Sequence, residues 1–159
     1  MKTRKFSDYK PGIVSDLLHS AYSRNQDIVK IHSSDWKEFD KFIYENLSFM
    51  DFTGFISEID NKPIGFMSWD SRLHPQSVEI GHNCIINDLQ GQKLGKEQLL
   101  KGLNIISVNR PETLIVKTGN IDFFIPAQKM YESAGFVKQK IIRHNDPVVP
   151  EIILYSLKL

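Results

Sequence analysis

Residues 89–103, LQGQKLGKEQLLKGL, constrain the fold of this chain more than any other stretch. They follow a β-rich run from Val78 to Ile86 and form a short loop, with Gly91 and Gly95, that leads directly into an amphipathic helix. A loop of this kind directs successive backbone N–H groups, together with the positive end of a helix dipole, toward one point in space. The pattern therefore predicts a site for a pyrophosphate.

The spacing of the loop residues excludes two common phosphate-binding motifs. A Walker P-loop needs four residues between its first glycine and Gly-Lys, whereas three separate Gly91 from Gly95-Lys96, and neither Ser nor Thr follows. A dinucleotide-binding fingerprint needs Gly-x-Gly-x-x-Gly, which the two loop glycines do not supply. The pattern that remains is Gln90-x-x-Lys93-x-Gly95.

This pattern resembles the Gln/Arg-x-x-Gly-x-Gly/Ala loop with which the GNAT acyltransferase superfamily holds the pyrophosphate of coenzyme A. Lys93 departs from the family, which usually has a glycine there. If that position takes a positive φ, lysine costs about 1 kcal/mol more than glycine. Gly91 is a second place at which the turn can relax instead, and the Lys93 ammonium is a candidate phosphate contact. The resemblance implies coenzyme contacts from the whole loop, namely Gln90, Gly91, Gln92, Lys93, Leu94, Gly95 and Lys96.

A second motif lies in the segment from Pro126 to Phe136, PAQKMYESAGF. It begins with proline where a helix tolerates it and ends with glycine where a helix stops. Ala127 and Tyr131 are four residues apart, so they share a helix face. The segment is similar to the family's Ala-x-x-x-Tyr-x-x-x-Gly-Phe signature, which closes the coenzyme site. A short amphipathic helix with a packed tyrosine is the alternative interpretation. The resemblance covers residues 50–159 well and residues 1–50 only loosely.

Length and composition agree with one small enzyme domain over residues 1–159. A chain of 159 residues is large enough to bury about 70% of its unfolded surface. The net charge is +1, without a block of like charges, so neither a nucleic-acid nor a membrane partner is expected. No apolar run approaches the ~18 residues of a membrane span, and the N-terminus lacks an apolar signal region. Cys84 is the only cysteine, so disulfides are excluded and a cytoplasmic location is expected.

Hydrophobic periodicity predicts a mixed α/β order of elements. The predicted strands, in chain order, cover residues 2–8, 52–59, 63–69, 77–86, 114–117, 136–142 and 151–157. The second and third strands form a hairpin around Asp60-Asn61, and two amphipathic helices precede that hairpin. The other helices follow the glycine loop and contain Tyr131. An antiparallel start followed by a βαβα half predicts a mixed sheet with helices on both faces.

The family resemblance adds detail to this α/β fold. It implies a mostly antiparallel sheet of about seven strands, splayed between strands four and five, with the pantetheine arm of acetyl-CoA in the gap. In the family that arm pairs with exposed backbone of the fourth strand, here Cys84, Ile85 and Ile86. The alternative for Cys84 and Ile85 is core packing. Both interpretations can hold, because the side chains can pack in the core while the backbone pairs with the ligand. An acyl-carrying role for Cys84 is disfavoured, since no partnered base is visible and transfer in the family is usually direct.

Direct transfer to an amine requires a base. A free alkyl amine has a pKa near 10.4, so its deprotonation at pH 7 costs about 4–5 kcal/mol. Glu79 is the first candidate, because its position ahead of Gln90 resembles that of the catalytic glutamate in some family members. Strand alternation places it on one face with Gly81 and Asn83, which leaves room for a ligand. Partial burial would raise its pKa toward neutrality. A solvated strand carboxylate is the alternative interpretation.

Tyr131 resembles the family's general acid, which donates a proton or hydrogen bond to the departing coenzyme A thiolate. The predicted mechanism is attack by an amine on the thioester carbonyl, which strand amides polarise. Glu79 then accepts the amine proton, and Tyr131 donates a proton or hydrogen bond to the sulfur.

Several further residues are candidates with open alternatives. His82 and His74 are alternative bases or satisfied histidines. Asn120 follows the fifth strand, where the family often has an asparagine contacting coenzyme A. Its spacing to Ala127 is longer than usual, so a turn role is an equal alternative. The histidines and the cysteine show no metal-ligand spacing, so no metal is expected. Trp36, Phe39, Phe42 and Trp69 are candidates for core or for the acceptor wall.

The acceptor is left open between a small-molecule amine and a protein amine, to be decided by residues 20–50 and the turn at 143–150. The last predicted strand is a candidate for pairing across a homodimer. A non-catalytic acyl-CoA sensor or scaffold is the alternative function, and an unrelated α/β domain with a chance loop is a third possibility.

Overall fold

The computed structural model describes all residues from 1 to 159 and contains five helices and seven strands. In chain order these are β1 (Lys2–Arg4), α1 (Ile13–Tyr22), α2 (Gln26–Glu45), α3 (Leu47–Met50), β2 (Gly54–Ile59), β3 (Lys62–Asp70), β4 (Ser77–Ile85), α4 (Leu94–Ser107), β5 (Thr113–Gly119), α5 (Ile125–Ser133), β6 (Val137–Arg143) and β7 (Glu151–Lys158). Single turns of 3₁₀ helix cover Phe6–Asp8, Asn87–Leu89 and Asp122–Phe124. None of the helices is both long and apolar enough to cross a membrane.

All seven strands form one sheet in the order β1-β2-β3-β4-β5-β7-β6. Every neighbouring pair is antiparallel except β4 and β5, which are parallel. The predicted mixed, mostly antiparallel sheet is therefore confirmed. The hairpin at Asp60-Asn61 is also confirmed: both residues have positive φ, +52° and +59°, as a two-residue hairpin turn requires.

Two expectations about the strands are wrong. The first strand ends at Arg4 and not at residue 8, because the chain turns into 3₁₀ helix at Phe6, where the Asp8 carboxylate accepts the Lys5 N–H at 3.2 Å. The last strand, β7, lies between β5 and β6, so both of its edges are already paired and it cannot pair with a second copy.

The sheet opens between β4 and β5, as expected. The two strands pair only from Ser77 opposite Thr113 to Ile80 opposite Val116. Beyond that point β5 continues its pairing with β7 as far as Gly119, whereas β4 pairs only with β3. A gap between the two strands therefore begins at Gly81.

A β-bulge in β4 coincides with the start of this gap. Ser68 of β3 lies opposite His82, but the next residue, Trp69, lies opposite Ile80. Gly81 is thus an extra residue without a partner on β3. A bulge bends its strand and increases the local twist, so it accounts for the divergence of β4 from β5 at this point.

Each face of the sheet carries its own hydrophobic core, and helices cover both faces. The core under α4 and α5 contains Val78, Ile80, Leu99, Leu103, Leu114, Val116 and Tyr131, among others. The core under α1 and α2 contains Phe6, Leu18, Ile43, Phe66 and Cys84, among others. The predicted helices on both faces are confirmed.

The side chain of Asp40, in α2, holds the beginning of α1. It is 5% exposed and accepts hydrogen bonds from the backbone N–H groups of Gly12 (2.7 Å), Val14 (2.9 Å) and Ser15 (3.2 Å). We expect Asp40→Ala to lower the free energy of unfolding by about 3 kcal/mol, because two buried donors and one half-buried donor lose a charged acceptor. Urea unfolding measures this. Asp16→Ala removes an exposed carboxylate from the same helix end and is expected to cost about 0.5 kcal/mol. Equal losses from the two variants would contradict the assignment.

Candidate active site

The loop between β4 and α4 presents a row of free backbone donors. The N–H groups of residues 91–95 have no acceptor within the protein, whereas the N–H groups of Lys96 and Glu97 both donate to the Lys93 carbonyl. Gly91 and Lys93 have positive φ values of +79° and +64°, and Lys93 is the N-cap of the 14-residue helix α4. Successive free N–H groups at a helix N-terminus form an anion-binding concavity.

Gly91 and Lys93 both adopt a positive φ, so the turn at Gly91 does not spare Lys93 from that conformation. Lys93 consequently bears the expected cost of about 1 kcal/mol. Two other loop side chains are engaged with the protein. Gln90 Nε2 donates to the carbonyls of Ala21 and Ile85, both at 2.9 Å, and Lys96 Nζ donates to the Ser133 carbonyl at 3.1 Å. The loop therefore presents its backbone N–H groups, and not the side chains of Gln90 and Lys96, to a ligand.

A cavity of about 280 Å³ occupies the gap between β4 and β5. Its walls are the diverging ends of the two strands, α5, the facing sides of α1 and α2, and the loop between β6 and β7. Cys84, Ala127 and Tyr131 line this cavity. Burial raises the pKa of the Cys84 thiol to about 12, which keeps it protonated and unreactive at neutral pH.

Tyr131 is both a packed core residue and a wall of the cavity. It is 5% exposed, and its ring contacts those of Phe136 and Tyr155 at centroid distances of 5.7 and 6.4 Å. Burial raises the pKa of its phenol above the usual value, while the Asn83 side chain acts in the opposite direction as a hydrogen-bond partner. The phenol is therefore protonated at neutral pH and is a hydrogen donor at the gap.

No protein-family model matches this chain, and no curated protein matches it in sequence. Solved structures do match it along almost its whole length. A Bacillus subtilis acetyltransferase in complex with CoA is 18% identical over 99% of this chain and 97% of its own, with a TM-score of 0.68. A GNAT family acetyltransferase from Elizabethkingia anophelis with acetyl-CoA bound is 18% identical over 99% and 96%, with a TM-score of 0.65. This chain has the GNAT fold. An aminoglycoside 6′-acetyltransferase of type Ii shares it, at 11% identity over 99% and 97%, with a TM-score of 0.70.

Within this GNAT fold, Glu79 does not line the cavity. Its carboxylate pairs with Lys117 Nζ at 2.9 Å, and its side chain is 39% exposed. The expectation that it shares a face with Gly81 and Asn83 is wrong, because the extra residue at Gly81 reverses the alternation of β4. Asn83 instead points to the opposite face, where its Nδ2 donates to the Gly95 carbonyl at 3.2 Å.

His82 takes the position that simple alternation predicts for Gly81. It lines the cavity, and its ring stacks on Phe39 of α2 at a centroid distance of 4.4 Å. Burial lowers the pKa of its imidazole to about 4, so the ring is neutral at pH 7. His74, the other expected alternative, is exposed, and its Nε2 contacts the Asn109 carbonyl at 2.8 Å away from the cavity.

Of the positions predicted to contact coenzyme A, only Cys84 and Ala127 line the cavity; the loop residues 90–96, and also Ile85, Ile86 and Asn120, lie outside its lining. Asn120 Nδ2 donates to Glu151 Oε2 at 2.9 Å, and its N–H donates to the Glu151 carbonyl, so it ties β5 to β7. Part of the backbone of Ile85 and Ile86 is already hydrogen-bonded within the protein. The Ile85 carbonyl accepts Gln90, and the Ile86 N–H donates to the Ile64 carbonyl at 2.8 Å.

The expected aromatic wall is only partly present. Trp36 lines the cavity, and Phe39 contacts it indirectly through His82. Phe42 is 49% exposed, and Trp69 belongs to the core on the opposite face of the sheet. Trp69 is therefore core and not acceptor wall, whereas Phe42 is neither, because periodicity identifies the inner face of an element but not which cavity that face meets.

The cavity also includes residues that the sequence did not single out. His32 of α2 contacts Asp146 in the β6–β7 loop, with 3.0 Å between Nε2 and Oδ2. Asp146 also accepts the N–H groups of Val148 and Val149 at 2.8 Å. These contacts fix the loop at the cavity mouth. The only sequence signal was that residues 20–50 and 143–150 both belong to the expected acceptor region.

Proposed function

We propose that this chain is an acetyl-CoA-dependent N-acetyltransferase that passes its acetyl group directly to a primary amine. The observation that carries the proposal is the continuity of two features on a GNAT fold. Free amides at residues 91–95 follow the end of β4, and the Gly95 carbonyl in this segment accepts a hydrogen bond from Asn83, which lines the strand gap together with Tyr131.

The donor fits this arrangement in chemical terms. The amides of residues 91–95 supply hydrogen bonds to a pyrophosphate, and the exposed Lys93 ammonium supplies positive charge nearby. The gap from Gly81 onward leaves β4 backbone free of β5, which suits an extended pantetheine arm.

Acetyl transfer forms one covalent bond and breaks another. The amine nitrogen attacks the thioester carbonyl, an amide bond forms, the carbon–sulfur bond breaks, and the sulfur leaves with its electron pair. Tyr131 stabilises that sulfur by donating its phenolic hydrogen. The amine gives up one proton to a base.

The alternative function is an acyl-CoA sensor or scaffold without turnover. The position of Glu79 favours it, because the carboxylate expected as the base is paired with Lys117 and lies outside the cavity lining. A catalytic role of Glu79 stays a prediction, which Glu79→Gln tests.

Two measurements separate these functions. Calorimetry with acetyl-CoA tests the donor site, and thiol release in the presence of polyamines, aminoglycosides, amino acids and short peptides tests transfer. We expect saturable heat and thiol release above the buffer rate with at least one class. Tight binding without thiol release from any class would establish the sensor. A folded protein that gives no heat would overturn both functions.

A further inference from the structure

The bulge at Gly81 brings the side chain of His82 to the gap. In a regular strand the side chain two positions after Glu79 would share its face. Because Gly81 is an extra residue, His82 takes that face and packs under α2. Its neighbours on β4, Gly81 and Cys84, also line the cavity.

The ring of His82 is held in one orientation. Phe39 stacks on it at 4.4 Å between centroids, and Phe66 contacts it at 5.4 Å. Nδ1 lies 3.2 Å from Ser68 Oγ, and Ser68 is 4% exposed. Nε2 has no hydrogen-bond partner within the protein. A ring that is fixed at one nitrogen and free at the other is arranged to exchange a proton at the free nitrogen.

We propose that His82 is the base that accepts the amine proton during acetyl transfer, and that Ser68 is a positioning residue that selects its tautomer. This inference rests on the proposed function. When Nδ1–H donates to Ser68 Oγ, the lone pair is on Nε2. As the amine nitrogen bonds to the carbonyl carbon, its proton passes to Nε2, and the imidazolium later releases it to solvent.

The other titratable groups near the cavity are less suited to this role. Glu79 is paired with Lys117. His32 has both ring nitrogens beside carboxylates, Asp35 at 3.3 Å and Asp146 at 3.0 Å. His144 is exposed at the cavity mouth. Burial lowers the pKa of His82 to about 4, so its ring is neutral at pH 7 and its lone pair is free, although a low pKa also makes the imidazole a weaker base. The position of Nε2 in the cavity lining, without a partner in the protein, carries the assignment.

The test uses His82→Gln, which keeps a polar side chain of similar size but cannot act as a base at neutral pH. With acetyl-CoA and the best acceptor from the amine panel, we expect kcat to fall about 100-fold or more. The calorimetric dissociation constant for acetyl-CoA should stay within about twofold, which shows that the fold and donor site persist. His74→Ala removes an exposed histidine outside the cavity and should leave kcat unchanged.

Chemical rescue separates a missing base from a damaged site. Free imidazole should restore part of the kcat of His82→Ala, in proportion to its concentration, and should not restore that of Tyr131→Phe. Ser68→Ala should lower kcat in the wild-type background but not in His82→Ala, because a positioning residue has no effect once the group that it positions is gone. A His82→Gln enzyme with kcat within threefold of wild type would overturn the inference. Failure of the proposed function differs, since wild type itself would then release no thiol.

Discussion

Replacing Tyr131 with phenylalanine is expected to lower kcat for acetyl transfer by about 100- to 1,000-fold while leaving the dissociation constant for acetyl-CoA nearly unchanged. Phenylalanine keeps the ring that packs against Phe136 and Tyr155 and removes only the phenolic hydrogen. Because burial raises the pKa of that phenol, wild type should show no loss of activity from its ionisation between pH 7 and 9. Steady-state thiol release gives kcat, and calorimetry gives the dissociation constant.

Tyr155→Phe is the matched control for this prediction. Tyr155 is 1% exposed and contacts Tyr131, but its hydroxyl donates to Glu132 Oε1 at 3.0 Å and does not line the cavity. Its loss should cost about 1 kcal/mol of unfolding free energy and leave kcat unchanged. If Tyr131→Phe behaves like Tyr155→Phe, then Tyr131 is a packing residue and not the general acid.

The features that sequence predicted well depend on short stretches of chain. Two residues with positive φ specify the hairpin at Asp60-Asn61, and proline and glycine bound the helix that carries Tyr131. The glycine loop likewise defines its own geometry, because the residues that bend it and the amides that it exposes are the same residues. In each case the determining interactions lie within a few residues.

The features that sequence missed depend on contacts between distant segments. The side chains of β4 follow simple alternation until Gly81. An isolated glycine inside a strand is a signal for a bulge, but the sequence of β4 alone does not give the register against β3 that makes Gly81 the extra residue. One extra residue placed His82, and not Asn83, on the face of β4 that carries Glu79. The contact between His32 and Asp146 joins α2 to the β6–β7 loop, so no local pattern reveals it.

The last prediction concerns the backbone amides that would hold the pyrophosphate. Gly91→Pro removes one N–H and cannot adopt the φ of +79° found there, so it also redirects the amides that follow. We expect the dissociation constant for acetyl-CoA to rise about 100-fold, because hydrogen bonds to a charged group contribute about 1.5–3 kcal/mol each. Gly91→Ala is the control, since it keeps the N–H and a Cβ there meets no atom within 4 Å. It should cost about 1 kcal/mol of stability with little loss of affinity.

S-acetylpantetheine, which has the thioester arm but no pyrophosphate, shows where the loss of affinity originates. Gly91→Pro and wild type should have equal kcat/KM with this truncated donor, because the amides at residues 91–95 have no phosphate to bind. With acetyl-CoA, kcat/KM of the proline variant should fall in parallel with affinity. A variant that lost activity equally with both donors would have a damaged strand gap, and the assignment of the loop to the pyrophosphate would then be wrong. A variant that bound acetyl-CoA as tightly as wild type would contradict the assignment directly.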